Sequence, residues 1–315
     1  MPKAIPNREE IEIKERFAEH YKALLGKDYD KFIDYSLSFL RRSIRVNTLK
    51  ISAEEVIRRL GKEWILTEIP WCNIGFWVEH KEGRRDIGNT IEHSLGYIFV
   101  QEAASMIPPI VLDPKPGETV LDMCAAPGSK STQIAAMMQN KGILVCNDYR
   151  GDRLKALGIN LQRCGVLNAV ITLMEGRFFK DVQFDKILVD APCSGTGTIR
   201  KSLKTLRIWN PNMIKRLAGT QKQLISAAFN VLKPGGTLVY STCSVEPEEN
   251  EGVIDYLLST FDNAKLDVIN LNIKKSKPIT SFQGKNYSKE VEKCLRIWPQ
   301  DNDTEGFFVA KIRKN

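Results

Sequence analysis

The chain has 315 residues, of which 46 are Lys or Arg and 38 are Asp or Glu, so its formal net charge is +8. With 43% hydrophobic and 27% charged residues it has the composition of a folded globular protein, which excludes a disordered chain. No stretch approaches the roughly 18 consecutive apolar residues of a membrane-spanning helix, so we expect a cytoplasmic protein without membrane contact. The positive charge favours an anionic partner such as nucleic acid, with an ordinary basic enzyme as the alternative.

The number and the positions of the cysteines and histidines argue against several kinds of site. The seven cysteines are odd in number, and the closest two, Cys146 and Cys164, are 18 positions apart, which argues against a disulfide framework and against zinc-binding pairs. We therefore expect reduced thiols and no metal. All three histidines lie at or before His93, so a hydrolase triad built wholly within the later part of the chain is excluded.

Residues 1–105 are predicted to form a small α+β module. Apolar residues recur at helical spacing over residues 9–25, a second helix is predicted around 29–40, and a strand at 43–50 leads into a helix at 53–60. Several prolines between residues 108 and 117 mark the point at which the predicted pattern of helices and strands changes. We therefore place a domain boundary between residues 105 and 106.

From residue 118 onward the pattern alternates between strand and helix. The predicted strands are residues 119–123, 143–146, 170–173, 186–189, 237–240 and 306–312. The helical stretches between them include residues 132–138, 152–164 and 212–232. Alternation of this kind builds a parallel sheet with helices on both faces, and ligands of such sheets bind at the carboxyl ends of the strands.

A loop of small residues, Asp122-Met-Cys-Ala-Ala-Pro-Gly-Ser-Lys130, follows the first of these strands. Small residues let a ligand approach the backbone, and the N-terminus of the helix that follows favours a carboxylate or phosphate. Asp148 ends the second strand 20 residues after Gly128, where an acid accepts hydrogen bonds from ribose hydroxyls. Because the glycine pattern is wrong for a pyrophosphate, S-adenosylmethionine fits better than NAD. An ordinary turn with a solvated Asp is the alternative.

Two cysteines follow neighbouring predicted strands. Asp190-Ala-Pro-Cys193 ends the fourth strand and Ser241-Thr-Cys243 ends the fifth. Both thiols therefore fall at the carboxyl edge of the sheet, on the same side as the predicted cofactor loop. A buried structural cysteine is the ordinary alternative for each.

These segments resemble the Nol/Nop/Sun family of RNA cytosine-C5 methyltransferases. Residues 190–195 and 241–244 resemble its two cysteine motifs, and residues 122–130 its cofactor loop. With further matches at 232–236, 246–251, 296–299 and 306–308, the resemblance covers about residues 95–315, and residues 45–49 match more weakly. It implies an α/β fold in which a Rossmann-like class I methyltransferase domain, 106–315, follows a smaller N-terminal α+β RNA-binding domain, 1–105.

The resemblance also implies which residues contact S-adenosylmethionine. They are Cys124, Ala125, Ala126, Pro127, Gly128, Ser129, Lys130, Asp148, Arg153, Glu175 and Asp190. Glu175 stands where the family commonly has an Asp. Residues 301–303, Asp-Asn-Asp, occupy a stretch where the family often has a histidine, which puts any function of that histidine in doubt here.

The expected reaction explains the need for two cysteines. Cytosine C5 is a weak nucleophile, and addition of a thiolate at C6 makes C5 able to attack a methyl group. A proton must then leave C5 before the thiolate is expelled. By resemblance Cys243 attacks and Cys193 assists release, whereas DNA cytosine methyltransferases attack with the Pro-Cys cysteine. Asp190 is expected to hydrogen-bond the base, and Lys130 to orient Asp190 or the base.

RNA contacts are predicted in two basic segments. Residues 199–216 contain six basic residues, no acidic residue and Trp209, which is predicted to stack on a base. A second basic cluster lies at residues 41–50, and in both places a solvated basic face is the alternative. The predicted RNA-binding residues are Arg200, Lys201, Lys204, Arg207, Trp209, Arg41 and Arg45.

The sequence thus predicts a monomeric RNA (cytosine-5)-methyltransferase that uses S-adenosylmethionine. Transfer RNA is the first choice of substrate and ribosomal RNA the second, because the chain carries no obvious large accessory RNA-binding extension. Two other classes remain open. One is a non-catalytic RNA-binding or assembly factor that retains the fold, and the other is a methyltransferase acting on amino groups, although the aromatic residue of its usual loop is missing here.

Overall fold

The computed structural model describes residues 2–315, and none of the helices in that range is long and apolar enough to cross a membrane. The N-terminal part combines helices with a four-stranded antiparallel sheet in the order β2-β3-β1-β4. Its elements are α1 (Glu15–Leu25), α2 (Tyr29–Ser36), β1 (Ser43–Val46), α3 (Ala53–Leu60), β2 (Trp64–Ile69), β3 (Cys72–His80), α4 (Ile91–Ser94) and β4 (Ile98–Val100). The predicted α+β character is confirmed, although α1 begins six residues later than predicted, after a short 3-10 turn.

Helix α3 shows why its residues form a helix and pack where they do. The Ser52 hydroxyl accepts a hydrogen bond from the backbone N–H of Glu55 and so caps the first turn. Glu55 then pairs with basic residues one turn later along the exposed face. Val56 and Leu60, four positions apart, are buried in the core shared with the antiparallel sheet.

The remaining elements form an eight-stranded sheet with helices on both faces. They are α5 (Ile107–Leu112), β5 (Thr119–Asp122), α6 (Ser129–Met137), β6 (Ile143–Asp148), α7 (Gly151–Cys164), β7 (Ala169–Leu173), β8 (Phe184–Asp190), α8 (Lys204–Ile208), α9 (Pro211–Asn230), β9 (Leu232–Thr242), α10 (Glu251–Thr260), β10 (Ala264–Asp267), β11 (Ser281–Phe282), β12 (Lys285–Asn286), β13 (Leu295–Ile297), α11 (Pro299–Asn302) and β14 (Phe307–Lys314). Strands β11 and β12 form a separate two-stranded hairpin.

The strand order of the large sheet is β10-β14-β9-β8-β5-β6-β7, with β13 paired to β14. Strands β5 to β9 are parallel, as predicted, whereas β10, β13 and β14 pair antiparallel. The order reverses between β5 and β8, because β6 and β7 lie on one side of β5 and β8 and β9 on the other. In open α/β sheets, ligands bind at such a switch point, beyond the carboxyl ends of the strands.

Alternate residues of the central strands bury into two separate cores. Val120, Leu188 and Val239 lie in one core, and the next residues along the same strands, Leu121, Val189 and Tyr240, lie in the other. Side chains of a strand point alternately to opposite faces, so both faces of this sheet are apolar and covered. A sheet buried on both faces gives the functional edge rigid support.

The N-terminal part packs directly on the large sheet's helices. The Asn47 amide donates to the backbone oxygen of Cys164 at 2.8 Å, and Lys50 Nζ donates to that of Arg163 at 2.7 Å. Both acceptors lie at the C-terminus of α7, where the helix leaves carbonyl groups without internal partners. On the other side, α1 and α2 share an apolar core with α8 and the start of α9.

Candidate active site

A loop of small residues joins β5 to α6 at the switch point. Gly128 precedes α6 with φ +103°, a backbone conformation that favours glycine, and a Cβ there would meet Leu157 Cδ1 at 3.0 Å. Asp148, at the end of β6, is buried and accepts hydrogen bonds from the backbone N–H groups of Ala126 and Arg150 at 3.2 and 3.1 Å. Arg153 pairs with Asp148 at 3.2 Å and donates to the oxygen of Ala126. Asp148 and Arg153 therefore hold the loop in place.

A cavity of about 390 Å³ opens beside this loop. Its walls include Cys124, Asn147, Tyr149, Glu175 and Pro192, from the ends of β5, β6, β7 and β8. The volume falls within the range of small-molecule sites, roughly 300–1,000 Å³. The structure thus places Cys124 and Glu175, two of the predicted cofactor residues, on one cavity at the carboxyl edge of the sheet.

The two predicted catalytic thiols meet across the ends of β8 and β9. Cys193 Sγ lies 3.3 Å from Cys243 Sγ, and both side chains are partly buried. The hydrogen bond to Cys243, followed by burial, raises the pKa of Cys193 well above its usual value. The shift favours the neutral thiol of Cys193, and either sulfur can be the donor in this contact.

Lys130 and Asp190 form an ion pair next to the thiols. Lys130 Nζ lies 2.8 Å from Asp190 Oδ2 and 2.9 Å from Ser105 Oγ, while Ser241 Oγ donates to Asp190 Oδ1 at 2.7 Å. Burial lowers the pKa of Lys130, but the charge of Asp190 and its hydrogen bond outweigh burial, so the pKa lies above its usual value. Lys130 therefore stays charged, and its hydrogen bond holds the Asp190 side chain at the end of β8.

A buried carboxyl group ties the two cysteine loops together. Glu249 accepts hydrogen bonds from the Ser194 backbone N–H at 2.9 Å, from Ser244 Oγ at 2.5 Å and from Gln221 Nε2 at 3.0 Å. Burial raises the pKa of Glu249 to about 7. We did not predict this role from the sequence. The available signal was the acidic segment 246–251 directly after the second cysteine motif.

Three predicted RNA-binding residues are buried, and the prediction is wrong for them. The Arg200 guanidinium pairs with Asp303 at 2.7 Å and donates to the Phe39 oxygen at 2.6 Å. Trp209 is 2% exposed and donates to Glu246 Oε1 at 2.9 Å, so it cannot stack on a base. Arg45 is fully buried. Each of these side chains satisfies a partner inside the protein.

Arg45 instead contacts α6, the helix that follows the loop of small residues. Its Nε donates to Gln101 Oε1 and its Nη2 to Thr132 Oγ1 in α6, both at 2.9 Å. Burial lowers its pKa to about 10, and it stays charged at neutral pH. Arg41, by contrast, is exposed. Lys201, Lys204 and Arg207 are also exposed, and for these four residues RNA contact stays a prediction.

The stretch that replaces the family's histidine has structural partners. Asp301 Oδ2 accepts hydrogen bonds from the Trp298 backbone N–H at 2.9 Å and from Ser276 Oγ at 2.8 Å. Asp303 pairs with Arg200, as described above. Asp301 and Asp303 therefore stabilise the turn before β14 and do not reproduce the chemistry of a histidine.

The buried carboxyl group of Asp122 is expected to make the stability of the folded protein depend on pH. Its Oδ2 accepts a hydrogen bond from Ser131 Oγ at 2.7 Å, its Oδ1 has no partner within residues 2–315, and burial raises its pKa from 3.8 to about 7. Between these pH values the unfolded chain binds fewer protons, so Asp122 makes stability fall as pH rises, by at most about 1.4 kcal/mol per pH unit. We expect Asp122→Asn to remove this part of the pH dependence, measured by urea unfolding at pH 5 and pH 8.

The exposed Asp262 provides the control for this prediction. Asp262→Asn is expected to leave the pH dependence of unfolding as it is in the original chain. If Asp122→Asn also leaves it unchanged, the Asp122 carboxyl does not titrate in the folded protein as described.

The strand order and the loop and cavity at its switch point define a Rossmann-like methyltransferase fold with a separate N-terminal α+β part. Residues 109–313 match the family model for 16S rRNA methyltransferase RsmB/F, and residues 13–103 match the model for the N-terminal domain of 16S rRNA methyltransferase RsmF. The chain belongs to this RsmB/F family of RNA methyltransferases. The predicted resemblance and fold class are confirmed.

Curated relatives carry two kinds of name. The tRNA (cytosine(49)-C(5))-methyltransferase of Pyrococcus abyssi is 48% identical over 305 residues, 96% of each chain. Ribosomal RNA small subunit methyltransferase F of Vibrio vulnificus is 44% identical over 312 residues, which are 96% of this chain. This chain spans only 64% of that relative's length.

Solved structures agree over the whole chain. A methyltransferase homolog protein from Pyrococcus horikoshii superposes with a TM-score of 0.87 at 38% identity, covering 99% of this chain and 100% of that one. NSun6 from the same organism, solved with SFG, has a TM-score of 0.84 at 26% identity, covering 96% and 98%. The agreement includes the N-terminal part as well as the large sheet.

Proposed function

We propose that this protein transfers a methyl group from S-adenosylmethionine to C5 of cytosine in RNA, through a covalent adduct between Cys243 and C6 of the base. The observation that carries the proposal is the 3.3 Å approach of Cys193 and Cys243 beside the Asp190–Lys130 ion pair. All four groups lie at the carboxyl edge of the sheet, and Pro192, the residue before Cys193, lines the cavity. The name of the P. abyssi relative supports cytosine C5 as the acceptor.

The residues around the cavity fit S-adenosylmethionine. The cavity wall carries Glu175, paired with Arg177 at 2.7 Å, and Asp148 lies behind the loop where an acid can accept hydrogen bonds from ribose hydroxyls. Gly128 lets the loop pack closely against α7, because a Cβ there would meet Leu157 Cδ1 at 3.0 Å. When bound, the cofactor supplies the methyl group as an electrophile. Asp148, Glu175 and the loop 124–130 would hold it, with Arg153 supporting the loop.

The side chains have separate roles in the proposed reaction. The Cys243 thiolate forms a bond to C6, and the electrons of the C5–C6 double bond make C5 nucleophilic. Asp190, held by Lys130, hydrogen-bonds the exocyclic amine and fixes the ring. Once C5 carries the methyl group, a base such as water takes the C5 proton, the electrons of the C–H bond re-form the C5–C6 double bond, and the Cys243 thiolate leaves. Cys193 lies close enough to Cys243 to assist this release.

Transfer RNA is the favoured substrate. The P. abyssi relative, which is 48% identical to this chain over 96% of each chain, is named for tRNA. Small-subunit ribosomal RNA is the second candidate, because the family models carry that name. We also propose that the protein acts as a cytoplasmic monomer, in which residues 1–105 hold RNA and residues 106–315 carry the chemistry.

Nucleoside analysis tests the proposed function. The protein is incubated with methyl-labelled S-adenosylmethionine and either unmodified transfer RNA or unmodified 16S ribosomal RNA, and the RNA is digested to nucleosides. We expect labelled 5-methylcytidine, chiefly from transfer RNA. Labelled N4-methylcytidine would contradict the proposal in favour of amino-group methylation, and RNA binding without any labelled nucleoside would favour a non-catalytic factor.

Gly128→Ala is expected to weaken S-adenosylmethionine binding. A non-glycine residue in the left-handed region costs roughly 1–2 kcal/mol, which corresponds to a rise of about 5–30-fold in the dissociation constant. The new methyl group would also press on Leu157. The dissociation constant is measured by calorimetry. Gly83→Ala is the matched control, because Gly83 has φ +78° but no heavy atom within 4 Å of the added Cβ. If both variants bind the cofactor as tightly as the original chain, Gly128 does not shape the cofactor site.

A further inference from the structure

A second groove of about 390 Å³ lies on the N-terminal part, between the segment after α2, strands β2 and β3, and the turn before β14. Its lining carries five basic residues against two acidic ones, Glu79 and Asp303. The basic residues are Lys3, Arg41, Arg42, Arg84 and Arg85. All five basic side chains are exposed. Arg84 is paired with Asp86 at 3.1 Å, and the other four still give the groove a surplus of positive charge for an anionic partner.

Two arginines in this groove are stacked on aromatic rings. The guanidinium carbon of Arg41 lies 3.9 Å from the centroid of the Trp77 ring, and that of Arg85 lies 4.5 Å from the centroid of Phe39. Arg41 has no ion pair or side-chain hydrogen bond with any other part of residues 2–315. Stacking therefore holds the Arg41 plane in position while its N–H donors stay free for a partner.

One wall of the groove contacts the loop that follows Cys193. Asp303, on its wall, pairs with Arg200 at 2.7 Å, and Arg200 belongs to the loop that follows Cys193. Three residues after Asp303, the Gly306 N–H donates to the Gly197 oxygen at 2.9 Å. The Gly197 N–H in turn donates to the Cys243 oxygen at 3.0 Å. Two backbone hydrogen bonds therefore join the segment that carries Asp303, on the groove wall, to the loop of Cys243.

We propose that this groove binds the single-stranded RNA next to the target cytidine, with phosphates on Arg42 and Arg85 and one unstacked base on the Arg41–Trp77 stack. The proposal rests on the proposed function, because it takes RNA as the substrate. A single strand is favoured over a duplex because unpaired bases stack on aromatic rings and on arginine planes, whereas duplex RNA is read by shape across its minor groove. Methylation at C5 through C6 also needs an unstacked base.

The test compares Arg41→Ala, Arg41→Lys and the control Lys265→Ala, an exposed lysine of β10 outside the groove. Binding of unmodified transfer RNA and 16S ribosomal RNA transcripts is measured at several salt concentrations, and kcat and KM are measured with each transcript. Loss of base stacking, about 1–3 kcal/mol, predicts a rise of about tenfold or more in Kd and KM for Arg41→Ala, with kcat nearly unchanged. The dependence of log Kd on log salt should also become shallower.

Arg41→Lys separates stacking from charge. It should restore the salt dependence but not the affinity, because lysine keeps the charge and lacks the guanidinium plane. Lys265→Ala should bind RNA as the original chain does. A single-stranded oligonucleotide should compete with the transcripts for the original chain, and this competition should weaken in Arg41→Ala.

The possible outcomes test the groove proposal separately from the proposed function. If the original chain methylates RNA while Arg41→Ala keeps its Kd, KM and salt dependence, the groove proposal is overturned and the function stands. A fall in kcat alone, full rescue by lysine, or equal competition by duplex RNA would each overturn it as well. If no variant methylates either RNA, the proposed function fails, and the binding series still decides whether the groove holds a single strand.

Discussion

Replacing Cys243 by Ala is expected to lower the rate of methyl transfer by on the order of 10⁴-fold or more, as removal of a covalent nucleophile does in other enzymes. Without the thiolate, C5 of cytosine is not nucleophilic enough to attack a methyl group. The rate is measured under single-turnover conditions. Because Cys243 is only partly buried, the variant should retain its fold, its cofactor affinity and its RNA affinity.

Cys294→Ala is the matched control for this experiment. Cys294 is buried in the apolar core and lies away from the site, so its removal should affect stability and leave the single-turnover rate close to that of the original chain. Methyl transfer that survives Cys243→Ala would show that the adduct is not formed by this cysteine.

Glu251→Gln is expected to destabilise the folded protein by about 3–5 kcal/mol. Glu251 and Arg296 are 0% and 1% exposed, and Arg296 Nε lies 2.7 Å from Glu251 Oε1. Arg296 also donates to the Val245 oxygen at 2.9 Å, two residues beyond Cys243. Removing the carboxylate leaves the guanidinium charge buried without compensation. The free energy of unfolding in urea measures the effect.

The exposed ion pair between Arg313 and Asp267 gives a matched comparison. Its side chains are 53% and 25% exposed, so Asp267→Asn should change stability by about 1 kcal/mol or less. If Glu251→Gln lowers the free energy of unfolding by no more than Asp267→Asn does, the buried pair is not needed to hold the loop of Cys243.

The large sheet could be predicted from the sequence because its signals are local. Short apolar runs mark β5, β6 and β8, and the carboxyl ends of these strands bring Asp148, Asp190 and Cys193 to one edge. The N-terminal sheet was predicted only as mixed short strands. In β2 exposed and buried residues do not alternate regularly, and a register shift interrupts its pairing with β3, so the period of two is lost.

The errors in the predicted RNA-binding set have a common physical origin. The buried partner of Trp209 is Glu246, and that of Arg200 is Asp303, both far away in the sequence. Nothing in the sequence around a basic or aromatic loop residue indicates that an acidic residue far away in the sequence will pair with it inside the protein. The role of Glu249 was missed for the same reason, since its donors come from three separate segments.

The central claim is that Cys243 forms the adduct with C6 and that Cys193 assists its release. A denaturing gel tests it most directly, with the original chain, Cys193→Ala and Cys243→Ala each incubated with S-adenosylmethionine and unmodified RNA. The account predicts an RNA-linked protein band that accumulates in Cys193→Ala and is absent in Cys243→Ala. The reversed pattern, or no band in any variant although RNA binds, would contradict it.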